Sequence, residues 1–140
     1  MTSDEITTFL KEVFPQSFGE DNVAFSIDAI QPNEALLGLT AGEEHLRPGG
    51  TVSGPAMMEL ADYAMYVLVL AHIGPVELAV TTNFSINFLR KPLPGRLLAK
   101  ARMLKLGRSL AVGDIFLSSE AEPLKAVAHA SVTYSIPPRV

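Results

Sequence analysis

The chain has 140 residues, a formal net charge of −4, 48% apolar residues and no cysteine. This composition suits one compact domain with a buried core and excludes a disordered chain. The lack of cysteine excludes disulfides, thiolate metal ligands and a cysteine nucleophile, and it is typical of a reducing compartment. We therefore expect a single domain over residues 1–140 and a cytoplasmic location, since the acidic N-terminus does not resemble an export signal.

Basic residues are unevenly distributed. Seven of the eleven lie between positions 90 and 108, and no acidic residue occurs between Glu77 and Asp114. Such a segment indicates either a solvated strand face or an anion site, for example for phosphates. Nucleic acid is disfavoured because interleaved aromatic residues are missing and the whole chain is acidic. The three histidines lack metal-ligand spacing, so no metal site is expected.

The N-terminal part predicts a helix and two strands. Residues 3–14, within an N-terminal helical segment 1–15, carry an amphipathic stripe that Pro15 ends. Residues 22–30 alternate between apolar and polar and predict a strand, and a turn leads to a second strand at 35–39.

A long helix is predicted over residues 53–73. Ser53 can cap its first turn, Pro55 is tolerated near a helix start, and Gly74 followed by Pro75 is a stop signal. Because this segment is apolar on almost every side, it must be buried on every side or lie in a membrane.

Two acidic residues, Glu59 and Asp62, interrupt this apolar helix and are neighbours on one of its faces. They lie near its middle and the helix is short, so a membrane span is disfavoured and a central core helix is expected. A carboxylate there either belongs to a solvent-exposed stripe of the helix or is a functional group. The spacing alone leaves both interpretations open.

Four strand-like segments follow the helix, at 80–88, 96–106, 110–118 and 124–135. In the first segment, simple alternation places one set of side chains on one face: Val80, Thr82, Phe84, Ile86 and Phe88. The other face then carries Thr81, Asn83, Ser85 and Asn87. The small residues Ala126, Ala128 and Ala130 leave room for a helix, so we expect an α+β fold with an antiparallel sheet curled around residues 53–73.

Three segments together resemble a known family: S-G-P-A-M-M-E-L-A-D-Y-A, T-T-N-F-S-I-N-F-L-R-K-P-L-P-G and A-K-A-R-M-L-K-L-G-R-S. The pattern over residues 22–135 resembles the hotdog-fold acyl-CoA thioesterases, and within them the phenylacetyl-CoA thioesterase-like (PaaI-type) group. The resemblance implies a curved antiparallel sheet around one long helix and hydrolysis of an acyl- or aryl-CoA thioester. It implies no cofactor beyond the coenzyme A of the substrate, and a homodimer that is expected to pair into a homotetramer.

The same resemblance assigns catalytic roles. It implies that Asp62 is the nucleophile or general base, that the Gly54 backbone N–H points at the thioester carbonyl, and that Thr81 supplies a hydroxyl. It also implies that two subunits share each site, with the acid coming from the neighbour of the chain that supplies the helix N-terminus. Asn83, predicted to share a strand face with Thr81, is expected to contact the substrate.

The chain departs from the family pattern at the start of the helix. The His-Gly-Gly of the family falls on Ser53, Gly54 and Pro55, and Pro55 has no N–H to donate. The upstream polar position, frequently Asn, falls on Arg47. These four positions are expected to line the substrate site, and the departures leave the accepted acyl group and the handling of water open.

Arg90, Lys91 and Arg108 are predicted at turns, where they could bind the phosphates of coenzyme A. Two alternative functions remain. One is a non-catalytic acyl-CoA binding protein, and the other is a hotdog dehydratase or hydratase. The latter chemistry requires a histidine paired with the acid near the helix start, and Ser53 counts against it.

Overall fold

The computed structural model describes residues 1–19 and 24–138. Its helices are α1 (Ser3–Val13), the short α2 (Pro15–Phe18) and the long α3 (Gly54–Ile73). Its strands are β1 (Phe25–Gln31), β2 (Glu34–Leu39), β3 (Val80–Phe88), β4 (Leu97–Leu106), β5 (Leu110–Ser119) and β6 (Ala126–Ser135). A 3-10 turn, Glu43–His45, precedes α3.

The predicted N-terminal elements are present with small changes. The Thr2 hydroxyl caps α1 by accepting from the Glu5 N–H, and Glu5 accepts from the Thr2 N–H in return. Pro15 does not end helical structure as predicted, because it occupies the first position of α2, where a missing N–H costs nothing. Strand β1 confirms the prediction from Phe25 onward, whereas residues 22 and 23 lie outside the described residues.

The described strands form one antiparallel sheet in the order β1-β2-β4-β5-β6-β3. Strands β1 and β3 are its edges, and β5 lies in its interior. Strand β1 is irregular at Asp28, where its register against β2 shifts. Both terminal nitrogens of the Arg96 guanidinium, Nη1 and Nη2, donate to the Asp28 carboxylate at 2.7 Å. These bonds hold the pKa of Asp28 below its usual value.

Helix α3 is the core of the fold and packs against all six described strands. The Ser53 hydroxyl accepts from the Ala56 N–H at 3.2 Å, and Gly74 ends the helix with a φ of 87°. By length and composition alone α3 could cross a membrane, but 61% of its most apolar window is buried inside the fold. A buried core helix passes the same test, and the predicted central helix is therefore confirmed.

Small residues let α3 approach the sheet closely. Ala128 and Ala130 on β6 are fully buried, as the run of alanines predicted. Gly113 on β5 is even more constrained, because a Cβ atom there would lie 2.6 Å from the Met65 sulfur and 3.0 Å from the Arg102 carbonyl oxygen. At Gly113 the sheet thus has no space for a side chain between itself and the helix.

We expect Gly113→Ala to lower the free energy of unfolding by about 1–3 kcal/mol, since the added methyl group forces Met65 or the backbone to move. Urea unfolding followed by circular dichroism measures this change. Ser131→Ala, on the opposite face of the neighbouring strand β6, is the control and should shift the midpoint little. Equal midpoints for Gly113→Ala and the parent would contradict this packing.

Candidate active site

A β-bulge at Thr82 determines which side chains of β3 face α3. Thr81 pairs with Tyr134, but Asn83 pairs with Thr133, so Thr82 is an extra residue in the ladder. Thr81 therefore faces the helix together with Phe84, which packs against the core. The prediction that Thr81 lies on the face opposite Phe84 is wrong, because simple alternation contains no bulge.

The bulge brings the Thr81 hydroxyl to the carboxylate of Asp62 on α3. Thr81 Oγ1 donates to Asp62 Oδ1 at 2.7 Å, and the Tyr134 hydroxyl lies 3.1 Å from the same oxygen. Tyr134 also lies 3.2 Å from the Asp62 backbone carbonyl. Among the described residues, Asp62 Oδ2 has no hydrogen-bond partner. One carboxylate oxygen is thus held by two hydroxyl groups, and the other has no partner in the described part of the chain.

Tyr134 is a site residue that the sequence analysis missed. Burial, together with the nearby charge of Asp62, raises the pKa of this phenol, so it stays protonated and can donate. Its ring stacks on Tyr66 at 5.9 Å between centroids, and burial raises the pKa of Tyr66 to about 12. Continuing the alternation of Ala128 and Ala130 along β6 would have placed Tyr134 on the helix side.

Three adjoining clefts run along the exposed face of α3. Asp62 lines two of them, with volumes of about 300 and 360 Å³. The third, of about 350 Å³, lies at the start of the helix beside Ser53 and Pro55. Glu59 lines all three, so the clefts adjoin at this side chain between the start of α3 and Asp62.

Gly54 and Asp62 do not meet within one chain. Gly54 is the first residue of α3, where the N–H has no carbonyl partner within the helix. It lies beside Phe88 at the end of β3, since a Cβ atom there would be 3.3 Å from the ring. Asp62 lies eight residues further, about 12 Å along the axis, and is bonded to Thr81 at the start of β3.

The other predicted positions at the helix start lie close together. Ser53 is the N-cap of α3, and Pro55 is exposed in its first turn. Arg47 is exposed in the turn before the helix, where its N–H donates to the Thr51 carbonyl at 2.9 Å. Ser53 and Pro55 line the cleft at the helix start.

The predicted phosphate-binding residues are not brought together in one chain. Arg90 and Lys91 follow the end of β3, and the Arg90 guanidinium donates to the Ala126 carbonyl. Arg108 lies in the β4–β5 turn, at the end of the sheet where β3 begins, with β6 between them. A nine-residue strand such as β3 spans about 30 Å, which separates these two groups.

Asn83 lies on the other face of the sheet from Asp62. It pairs with Thr133, whereas Thr81 and Tyr134 face the helix. The prediction that Asn83 shares a face with Thr81 is therefore wrong, for the same reason as above. Its contact with a substrate stays a prediction.

The comparisons with known proteins agree with this architecture. A family model described as the thioesterase superfamily matches residues 49–126. The chain belongs to the thioesterase superfamily. A crystal structure of a candidate thioesterase from Silicibacter sp. TM1040 shares 56% identity, with 99% of this chain and 93% of that one covered and a TM-score of 0.87.

More distant relatives include a 1,4-dihydroxy-2-naphthoyl-CoA hydrolase from Listeria monocytogenes, 22% identical over 113 residues that cover 81% of this chain and 92% of the relative. The N33D mutant of the phenylacetic acid degradation protein PaaI from Thermus thermophilus shares the fold, with a TM-score of 0.70 and 24% identity. The match covers 82% of this chain and 95% of that one. The hotdog fold and a thioester hydrolase activity are thereby confirmed for this thioesterase.

We expect Thr81→Val to lower kcat of this thioesterase by about 10- to 100-fold, because a hydrogen bond to a charged group is worth about 1.5–3 kcal/mol. Thiol release from an acyl-CoA ester measures the rate. Thr133→Val, on the outer face of β6, is the matched control and should keep the parent rate. An unchanged kcat in Thr81→Val would show that the hydroxyl does not organise Asp62 for the reaction.

Proposed function

We propose that this thioesterase hydrolyses an acyl- or aryl-CoA thioester to the free acid and coenzyme A, with Asp62 as the reacting carboxylate. The observation that carries this proposal is the asymmetry of Asp62. Two hydroxyl groups hold its Oδ1, while Oδ2 has no partner among the described residues and the side chain lines two clefts. A carboxylate held in this way keeps one oxygen oriented for proton transfer or attack.

Two reaction courses fit this arrangement. As a general base, Asp62 takes a proton from water while the water oxygen bonds to the carbonyl carbon. The C–S bond then breaks, and the thiolate receives the proton that Asp62 took, which restores the carboxylate. As a nucleophile, Oδ2 bonds to the carbonyl carbon and expels the thiolate, and water hydrolyses the resulting anhydride to restore Asp62. In both courses Thr81 and Tyr134 fix the carboxylate.

The negative charge that develops on the carbonyl oxygen requires a donor. The Gly54 N–H at the positive end of α3 suits this role, but it is too far from Asp62 of the same chain. We infer that a second copy supplies it. Pro55 cannot add a second N–H, so a single backbone donor from Gly54 is proposed.

Edge strand β3 provides a geometry for this homodimer. Antiparallel pairing of two β3 strands about a two-fold axis sets the Phe88 end of one against the Val80 end of the other. Gly54, beside Phe88, then approaches the second copy near Thr81 and Asp62. Exposed apolar side chains along this edge support the pairing, since Val80 is 54% and Phe88 49% exposed.

The same pairing places Arg90 and Lys91 of one copy at the sheet end that carries Arg108 of the other. A polyanionic coenzyme A could be bound across this junction. Arg47, exposed before the helix, adds a positive charge near the start of α3. Further pairing of dimers into a homotetramer, the cytoplasmic location and the absence of a cofactor stay predictions.

We expect Asp62→Asn to reduce thiol release by about 100- to 10,000-fold, the range typical of a lost general base. A panel of short, long and aryl acyl-CoA esters measures this rate and identifies the acyl group. Asp114→Asn is the control, because Asp114 bonds His129 on the β5–β6 part of the sheet and has no contact with Asp62. Full activity in Asp62→Asn would refute its role, whereas tight binding without turnover by the parent would favour a binding protein.

Mixed dimers test whether two copies share each site. Gly54→Pro removes the proposed donor, whereas Gly54→Ala adds similar bulk toward Phe88 and keeps the N–H. We expect Gly54→Pro and Asp62→Asn to be inactive alone. Co-refolding them in equal amounts should recover about a quarter of parent activity, since half the dimers contain one intact site. No recovery, or an equally inactive Gly54→Ala, would contradict the shared site.

A further inference from the structure

His45 is a buried histidine whose ring orientation is fixed. Its side chain is 9% exposed, and its ring meets Phe25 edge-on at 5.8 Å between centroids. A short loop joins the 3-10 turn that contains it to α3, and the His45 carbonyl accepts from the Ser53 N–H at 2.7 Å. The ring is therefore held rigidly beside the start of the central helix.

The hydrogen bonds of His45 determine which nitrogen carries the proton. Nδ1 accepts from the Gly42 N–H at 2.8 Å, so it carries no hydrogen and the neutral ring is protonated at Nε2. Glu44 lies 3.5 Å from the same Nδ1, but this is not an ion pair because Nδ1 already acts as an acceptor. His45 is thus a neutral donor through Nε2.

The Nε2–H group has no partner within the part of the chain that the structure describes. In that part, no fully buried side-chain nitrogen lacks a hydrogen bond, so Nε2 must reach open space. His45 lines the cleft of about 350 Å³ at the start of α3, together with Ser53 and Glu59. A nearly buried side chain thus presents one unused N–H to a cleft that adjoins the Asp62 clefts at Glu59.

Resting on the function proposed above, we propose that His45 is a substrate-positioning residue that donates from Nε2–H to an uncharged acceptor oxygen on the acyl group. Glu59 joins this cleft to those at Asp62. From Asp62 the helix places Glu59 about 4.5 Å and Pro55 about 10.5 Å away along the axis, so the distal part of an acyl chain reaches His45. Glu44 and Glu59 line the cleft and disfavour a distal carboxylate.

The test uses three substrates of equal chain length: octanoyl-CoA, its analogue with a keto group one carbon from the chain end, and the analogue ending in a carboxylate. We expect kcat/KM of the parent to be about three- to tenfold higher for the keto ester than for octanoyl-CoA, the range of one neutral hydrogen bond. The carboxylate ester should be the poorest of the three. In His45→Phe the preference for the keto ester should disappear, through a rise in KM for the keto ester.

His45→Gln separates positioning from a structural role, since a glutamine can accept from Gly42 and still donate an N–H. It should restore part of the keto preference. A parent without that preference, or an equal loss of kcat on both esters in His45→Phe, would overturn the proposal.

Calorimetric titration of Asp62→Asn, which should bind the esters without hydrolysing them, measures the dissociation constants of the keto ester and of octanoyl-CoA. A keto preference in binding would support His45 even if no thiol were released, whereas failure of the hydrolysis assay alone would count against the proposed function. Equal dissociation constants for the keto ester and octanoyl-CoA would overturn the His45 proposal whether or not the protein hydrolyses them.

Discussion

The burial of α3 on nearly all its sides is the constraint on which the rest of the structure depends. A helix this apolar needs a surface that surrounds it, and the six-stranded sheet provides one only where side chains are small enough. Gly113, Ala128 and Ala130 meet that need at the middle of the sheet. The exposed stripe that remains on the helix is where Glu59 and Asp62 lie, so the same packing that forms the core determines where the clefts lie.

Asp62 is stable in this position because its environment is only partly apolar. A carboxylate beside buried aromatic rings would be costly without partners, and Thr81 and Tyr134 provide two. Neither donor satisfies the second oxygen. Thr81 and Tyr134 thus fix one oxygen of the Asp62 carboxylate, and the other oxygen remains exposed to the clefts.

Much of this arrangement could be predicted from the sequence. Apolar periodicity and capping residues located α3, and alternation located the strands, because both signals depend on residues close in the chain. The resemblance drew attention to Asp62 and Thr81. The bulge at Thr82 was not predictable from alternation, since it arises from how β3 pairs with a strand about fifty residues later.

Tyr134 and His45 were harder to assign for a similar reason. The function of each depends on long-range neighbours or on one specific hydrogen bond, such as that from the Gly42 N–H to His45. No spacing in the sequence encodes these contacts. For Arg90, Lys91 and Arg108, the sequence predicted that each lies at a turn. It did not predict how far apart these turns are across the sheet.

The two edges of the sheet differ in what they offer another strand. Edge strand β1 has an irregularity at Asp28, which interrupts its regular hydrogen-bonding pattern. The Asp28 carboxylate, paired with Arg96, lies at this point of the edge, where an added strand would have to pair. Edge β3 has its bulge at Thr82 near its start, leaving a regular run from Asn83 to Phe88. If two copies pair through β3, both edges of the resulting sheet are β1 strands, which resist pairing with a further strand. The joined sheet is then self-limiting, and growth into fibrils is blocked by the same irregularity that shapes β1.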